Sequence, residues 1–523
     1  MLHVITDAQT APGHFGAMAA LFARSLQTRA LQAPSWAKHA PQTRSLQPSS
    51  SETRLLQPNA LQTASLQPSA SPVMLMHLPT LWDLCDYPEA MQHVAAEGTL
   101  LPSGLLWSER LLGLPAMLAA DLDTLMARAR IHDVVLPLHP SVNGQPFLER
   151  DTERLFPPSS HQRLQLVRDL LCKRAHASGT PLRLYSVKAC DGGWSLIDDD
   201  KQLPVAGLRY CFQDTFGRWQ TGSDTDGHPD SDRDSAPVSD ADGHSASAPS
   251  SGVHGTDALS APARSMGSRP LHVALIGSER DQYEGYPATL AALGDAADAA
   301  GISLMVDFVT PQTLTQRTIA ERLSNVDGIV LPGGSDMARV AGQIEAARFA
   351  FQSGMPTVGL CLGMQSMATA VAQIALNDDT IGLAEVGASL PDQSYRQSFI
   401  PIDASGPSLH HRLGDRHSQL LDGSRLQAIL GDVIVTRYNH RYRLNEALIG
   451  PLKTAGVQVS ARENMQFGAE DKHAADAIEA PAHPFFIGMQ GHPELSSCEG
   501  RPHPLLVAFL QAADAARRES GND

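Results

Sequence analysis

Between Leu271 and Leu376 the chain alternates repeatedly between short apolar runs and stretches with helical spacing, and this alternation restricts the fold more than any other feature. "LHVALIG", "ISLMVDFV", "VDGIVLPGG" and "PTVGLCL" read as strands. Each is followed by a helical pattern: "ATLAALGDAADAAG", "LTQRTIAERLSN", "QIEAARFAFQSG" and "GMQSMATAVAQIAL". Strands that are apolar throughout are buried on both faces, the habit of parallel sheets covered by helices. The expected architecture is α/β, an open and mostly parallel sheet flanked by helices, with ligands beyond the carboxyl ends of its strands.

Two low-complexity segments divide the remainder. Residues 25–72 repeat Leu-Gln-Pro triplets from Leu46, Leu56 and Leu66, at a period of about ten residues, too short for a solenoid unit of about 20 to 50. They are expected to be a disordered insertion. Residues 221–270 are rich in Ser, Asp, Gly, Ala and Pro and nearly free of large apolar side chains, so they read as a disordered linker. This leaves a smaller N-terminal α/β domain of unknown type over 1–220, a C-terminal unit over 271–516 and a tail over 517–523. In the N-terminal domain "LHVIT", "VMLMHL", "DVVLPL", "LRLYSV" and "GLRYCF" read as strands. "FGAMAALFARSL", "SERLLGLPAMLAADLDTLMARARI" and "HQRLQLVRDLLCKRAHA" read as helices. Gly13 and His14 fall at the first strand-to-helix turn, but no glycine-rich phosphate loop surrounds them.

A formal charge of −16, from 40 Lys and Arg against 56 Asp and Glu, argues against nucleic acid as a partner. The first residues lack the basic start and apolar core of a signal peptide, and no run of about 18 apolar residues follows. The expectation is a cytoplasmic protein without membrane contact. The six cysteines are scattered, with no C-x-x-C pair, so no metal site is expected.

One cysteine stands apart. Gly359-Leu360-Cys361-Leu362-Gly363 has the form of a nucleophile elbow, whose small flanking residues permit a cramped strand-to-helix turn. The following helix turns its positive end toward the sulfur, which favours thiolate. Cysteine is also among the most buried residue types, so the elbow alone leaves core packing and nucleophile both open. A thiolate nucleophile needs an oriented base. "GHPEL" offers one: Pro493 biases His492 toward an extended backbone, in which His492 and Glu494 project to one side. The Gly333-Gly334 turn at another strand end offers a place for an oxyanion.

With these residues identified, segment 271–516 resembles class I glutamine amidotransferase domains, and within them most closely the C-terminal glutaminase domain of CTP synthase. The resemblance runs in order through "LPGG", "GLCLGMQ", "RLG" at Arg412 to Gly414, "NHRYRLN" at 439–445, and "GHPEL" followed by "RPHPLLVAFLQAA". It implies that Cys361 attacks the side-chain amide of L-glutamine, that His492 shuttles protons and that Glu494 orients it. It further implies a thioester intermediate, an oxyanion held by the backbone of Gly334 and Leu362, and a glutamine pocket of Gly333, Gln365, Glu385 and Arg441. No cofactor is implied in this domain, and no nucleotide effector is identified.

Three positions depart from the family pattern: Gly491 replaces an aromatic, Ser335 and Asp336 replace Phe-Gly, and Arg443 replaces an acidic residue. Residues 1–220 lack the phosphate loop of the CTP synthase amidoligase, so UTP amination is not extended to this chain. The leading expectation is glutamine hydrolysis supplying ammonia to an unknown acceptor or a separate synthetase or amidoligase. The alternatives are a stand-alone γ-glutamyl amide hydrolase and a non-catalytic binding or regulatory protein.

Overall fold

The computed structural model describes residues 1–6, 12–32, 73–77, 105–113, 117–118, 122–138, 158–222, 269–285, 287–334, 340–383, 396–402, 412–440, 442–467 and 470–521. They form two α/β units that pack against each other.

The N-terminal unit runs β1 Leu2–Thr6, α1 Pro12–Gln32, β2 Met74–His77, α2 Leu105–Leu112, β3 Met117–Leu118, α3 Leu122–Ile131, β4 Val134–Leu138 and α4 Pro158–Ser178. Five short strands follow: β5 Leu182–Cys190, β6 Gly193–Asp198, β7 Leu203–Pro204, β8 Cys211–Gln213 and β9 Trp219–Thr221. Its sheet has the order β3-β2-β4-β1-β5-β6-β8-β9, with β7 beside β6. The first five are parallel to their neighbours and the rest antiparallel, so the unit is an α/β domain that ends in antiparallel strands. Two boundaries differ from expectation. Helix α1 continues to Gln32, eight residues into the segment assigned to the insertion; residues 33–72 lie outside the described residues, as do residues 223–268 of the expected linker. The long helix expected over 108–131 is two helices with a short strand between them. The first ends at Gly113, φ +68°, two residues before Pro115, a pairing that stops a helix.

The C-terminal unit begins with β10 Leu271–Leu275, α5 Pro287–Ala300, β11 Leu304–Phe308, α6 Ile319–Arg322, β12 Gly328–Leu331, α7 Val340–Ser353, β13 Thr357–Leu360 and α8 Leu362–Leu376. It continues through β14 Phe399–Pro401, β15 Arg412–Leu420, α9 Arg425–Leu430, β16 Val433–His440, β17 Tyr442–Leu444 and α10 Ile449–Thr454. It closes with β18 Gln458–Phe467, β19 Glu470–Glu479, β20 Phe486–Met489 and α11 Pro504–Glu519, which runs three residues into the expected tail. The sheet order is β11-β10-β12-β13-β20-β19-β18-β15-β16. Strands β11 to β20 in that order are parallel and the others antiparallel. Helices α7 and α8 pack an apolar core on one face, while α5 and α11 bury Leu293, Phe509 and Leu510 on the other. The expected open, two-sided sheet is observed. The helix expected over 314–325 shrinks to Ile319–Arg322 because Thr315 and Thr318 engage the local backbone: Thr318 Oγ1 accepts from the Thr315 N–H and donates to the Thr313 carbonyl.

The antiparallel half of this sheet is tied together by a buried cation. Arg412, 1 % exposed, donates to Asp476 at 2.7 Å and Glu463 at 2.9 Å, and its guanidinium lies 4.2 Å from the centre of the Tyr438 ring. Ser418 Oγ donates to the same Asp476. The carboxylates and the aromatic face offset the desolvation that a buried guanidinium otherwise suffers. Strands β15, β16, β18 and β19 thereby meet at one side chain.

The units meet along α2 and the β8–β9 turn. Arg110 of α2, buried to 4 % exposure of its side chain, pairs with the fully buried Asp295 of α5 at 2.8 Å and donates to the Ser497 carbonyl. Glu109 pairs with Arg437 of β16 at 2.8 Å. From the turn, Phe216 packs on Gly294, and the Tyr283 hydroxyl donates to the Thr215 carbonyl. No described helix is long and apolar enough to cross a membrane.

Candidate active site

Cys361 stands between β13 and α8 with φ 54° and ψ −107°, a conformation a non-glycine residue adopts only under constraint. The constraint comes from packing on both sides. A Cβ on Gly359 would lie 2.3 Å from Met367 Sδ, and one on Gly363 would lie 2.0 Å from the Leu331 carbonyl oxygen. Only glycine lets α8 begin so close to β12 and β13, and the turn then lifts the sulfur out of the sheet. The sulfur is half-buried and in no disulfide.

His492 follows β20 and sits beside the elbow. Its Nδ1 is 2.7 Å from Glu494 Oε1, and both residues are buried. The contact is made differently from the extended arrangement expected: His492 caps a 3-10 turn, Pro493–Ser496, and the turn folds the carboxylate back onto the ring. Burial pushes the His492 pKa down, but the sulfur of Cys361 and the carboxylate of Glu494 push it up and prevail, holding it well above the usual histidine value. Glu494 Oε2 is buried with no hydrogen-bond partner among the described residues.

A second imidazole, absent from the set expected from sequence, also contacts the sulfur. His440 Nε2, at the end of β16, is 3.1 Å from Cys361 Sγ. Its ring lies 5.6 Å from that of His492, tilted by 21°, and meets the Tyr438 ring edge-on at 5.5 Å. Strand β16 reaches this place by pairing Arg437 with His492 in an isolated bridge, so the last strand of the sheet folds back over the end of β20. The signal was present in the strand's period of two. Thr436, Tyr438 and His440 share a face, and all three are buried.

This also accounts for Gly491. A Cβ there would come within 2.5 Å of Thr436 Cγ2 and 3.1 Å of the Tyr438 ring. The packing group missing at the glycine is replaced by β16 itself. Of the remaining expected residues, Gly333 and Gly334 lie in the turn after β12, where a Cβ on Gly334 would come 4.0 Å from Leu362 Cδ2, so this turn packs beside the start of α8. Gln365 is buried in the first turn of α8 and donates to Gln490 at 3.4 Å. Glu385, Arg441, Ser335 and Asp336 lie outside the described residues. Arg443 is on β17 and pairs with Glu446 at 2.8 Å.

The structure thus gathers at one strand end a cysteine in a constrained turn and an imidazole in contact with a buried carboxylate. Known proteins with similar sequences agree in kind. Residues 296–512 match the family described as glutamine amidotransferase class-I. The CTP synthase of Rubrobacter xylanophilus is 34% identical over 259 residues, which cover 48% of this chain and 45% of that protein. The CTP synthase of Thermosynechococcus vestitus is 33% identical over 251 residues, covering 47% and 44%. The chain thus spans about half the length of the curated relatives it matches. Among solved structures, the Trypanosoma brucei CTPS glutaminase domain with bound acivicin is 24% identical, with a TM-score of 0.43 over 47% of this chain and 94% of that one. A glutamine amidotransferase from Thermotoga maritima is 12% identical, with a TM-score of 0.27 over 49% and 87%. Residues 296–512 of the C-terminal unit thus match the class-I glutamine amidotransferase family, and the C-terminal half of the chain is similar in sequence to CTP synthases.

Proposed function

We propose that the C-terminal unit hydrolyses the side-chain amide of L-glutamine through a thioester on Cys361, giving glutamate and ammonia. The observation that carries this reading is the sulfur at the constrained elbow beside His492, whose other nitrogen is held by buried Glu494. Cys361 Sγ attacks the amide carbon, and the carbonyl oxygen takes up negative charge opposite the N–H groups of Gly334 and Leu362. His492 gives its proton to the amide nitrogen, the carbon–nitrogen bond breaks and ammonia leaves. Water then attacks the thioester, His492 takes a proton from it, and the sulfur is released as glutamate departs. His492 is the proton carrier rather than His440 because Glu494 fixes its orientation and stabilises its charged form. Gly333, Gln365, Glu385 and Arg441 complete the glutamine pocket, with Glu385 reading the α-ammonium and Arg441 the α-carboxylate.

The ammonia passes to an acceptor held by the N-terminal unit or by a separate synthetase. Free ammonia is mostly protonated at neutral pH, so the transfer calls for a closed path between partners. The protein works in the cytoplasm, where thiols stay reduced. The test is to incubate the full chain with glutamine and measure glutamate and ammonia together, with and without acivicin. Stoichiometric release that acivicin blocks, and that Cys361→Ala lowers by at least about a thousandfold, is expected. Absence of release under all conditions, with no acivicin adduct on Cys361, would overturn the reading.

A further inference from the structure

Three side chains at the elbow converge in a way that acyl transfer does not require. The Cys361 sulfur and the ligating nitrogens of His440 and His492 all lie within 4.8 Å of one another. We propose that these three residues form a site for a borderline-soft divalent cation of the zinc class, and that its occupancy reversibly silences the nucleophile. The second clause rests on the glutaminase reading; the first does not.

The donor set fits such a cation. One thiolate and two imidazoles are soft to intermediate ligands, and three protein ligands with a fourth position left for water is a common zinc arrangement. With bonds of about 2.3 Å to sulfur and about 2.0 Å to nitrogen, tetrahedral ligands stand roughly 3.3 to 3.6 Å apart. The 3.1 Å between Cys361 Sγ and His440 Nε2 is close to that spacing, and the His492 ligand atom lies within 4.8 Å of both. The outer shell is also in place. His492 Nδ1 is held by Glu494, so the opposite ring nitrogen is the one that would meet the cation beside Cys361, an arrangement that recurs at metal-binding histidines. His440 is what makes this more than a nucleophile and base pair: without β16 folding back, the site would offer two ligands.

Binding forms one metal–sulfur and two metal–nitrogen bonds, and the protons carried by the thiol and imidazoles pass to water. No electron is transferred. The sulfur lone pair that would attack the amide is then engaged, and His492 can no longer carry a proton.

Chelator-treated full-length protein titrated with Co²⁺ reads the site directly. One equivalent is expected to give a thiolate-to-cobalt charge-transfer band with the strong visible bands of four-coordinate cobalt, and Zn²⁺ should remove both. Cys361→Ser and wild-type protein carboxymethylated at Cys361 should show no charge-transfer band, so the result does not depend on one variant folding. His440→Gln should weaken Co²⁺ binding by at least about tenfold to a hundredfold. Zn²⁺ should stop glutamate release, and chelator should restore it. Absence of the band, or a band that survives carboxymethylation of Cys361, overturns the site. A band in a protein that never releases glutamate would support the metal site while overturning the glutaminase reading, and zinc-insensitive release without a band would do the reverse.

Discussion

The two sheets share a plan: each places five parallel strands side by side and continues them with antiparallel strands at one edge. They use the extension differently. In the C-terminal unit it folds back, so that β16 bridges Arg437 to His492 and delivers His440 to the elbow. In the N-terminal unit it runs outward, and the β8–β9 turn docks Phe216 and Arg218 on α5 of its neighbour. A parallel sheet supplies strand ends in both cases. A site arises where one of those ends is strained open and another part of the same sheet closes over it.

The sharpest test of this contrast is thiol chemistry, with an effect of several orders of magnitude. Cys211, in the N-terminal sheet, is fully buried, and burial pushes its pKa up to about 12. Near pH 8 it is thiolate in roughly one molecule in ten thousand. Iodoacetamide followed by peptide mapping should label Cys361 first and leave Cys211 unmodified until unfolding. Equal labelling would erase the distinction between the two sheets.

Next comes the elbow itself. Gly363→Ala places a methyl on the Leu331 carbonyl, forcing β12 and α8 apart. Glutamate release should fall at least about a hundredfold, since misplacement by about 1 Å has that effect. Chemical denaturation should show a loss of about 3 kcal/mol. A variant with normal turnover would mean that the cramped turn is not what positions the sulfur.

Docking is tested by Arg110→Ala, which leaves Asp295 buried with Arg218, 3.6 Å away, as its remaining cation. Breaking a buried pair destabilises by about 3 to 5 kcal/mol, and Arg218 should hold this case to the lower end. Calorimetry should show the two units melting separately instead of together. An unchanged single transition would indicate that the docking is carried by the β8–β9 turn alone.

The smallest effect is an acid sensitivity confined to the C-terminal unit. His503 caps α11 by accepting from the Leu505 N–H, and burial lowers its pKa to about 4. A histidine held neutral in the fold is protonated more readily in the unfolded chain. Stability should therefore be full above the ordinary value near 6.5 and fall as pH drops toward 4, by up to about 3 kcal/mol. His503→Asn, which caps without titrating, should flatten urea midpoints across that range. A slope unaffected by the substitution would place the acid sensitivity elsewhere.

Much of the C-terminal unit was legible because its information is local. Continuous apolar strands, glycines flanking Cys361 and the short span between His492 and Glu494 can all be read within a few residues. His440 was not found because its role depends on how far a nine-stranded sheet curls, which no window of residues reports. What fills the space beside Gly491 was hidden for the same reason: Thr436 and Tyr438 occupy it, 55 and 53 positions earlier in the chain. In the N-terminal unit, β6 and the break at Gly113 were missed because a short strand that buries Ser195 and Asp198 among its apolar residues, and a Gly-Leu-Pro step inside an apolar pattern, carry weak periodicity.

The central claim is that the constrained cysteine, and not merely the fold around it, cleaves glutamine. Acid-quenching the full chain during turnover of isotopically labelled glutamine, then mapping the label by mass spectrometry, tests it most directly. A glutamyl adduct on Cys361 is expected, absent in Cys361→Ala along with glutamate release. Glutamate release that continues at the wild-type rate in Cys361→Ala, with no label on Cys361 of the wild type, would contradict it.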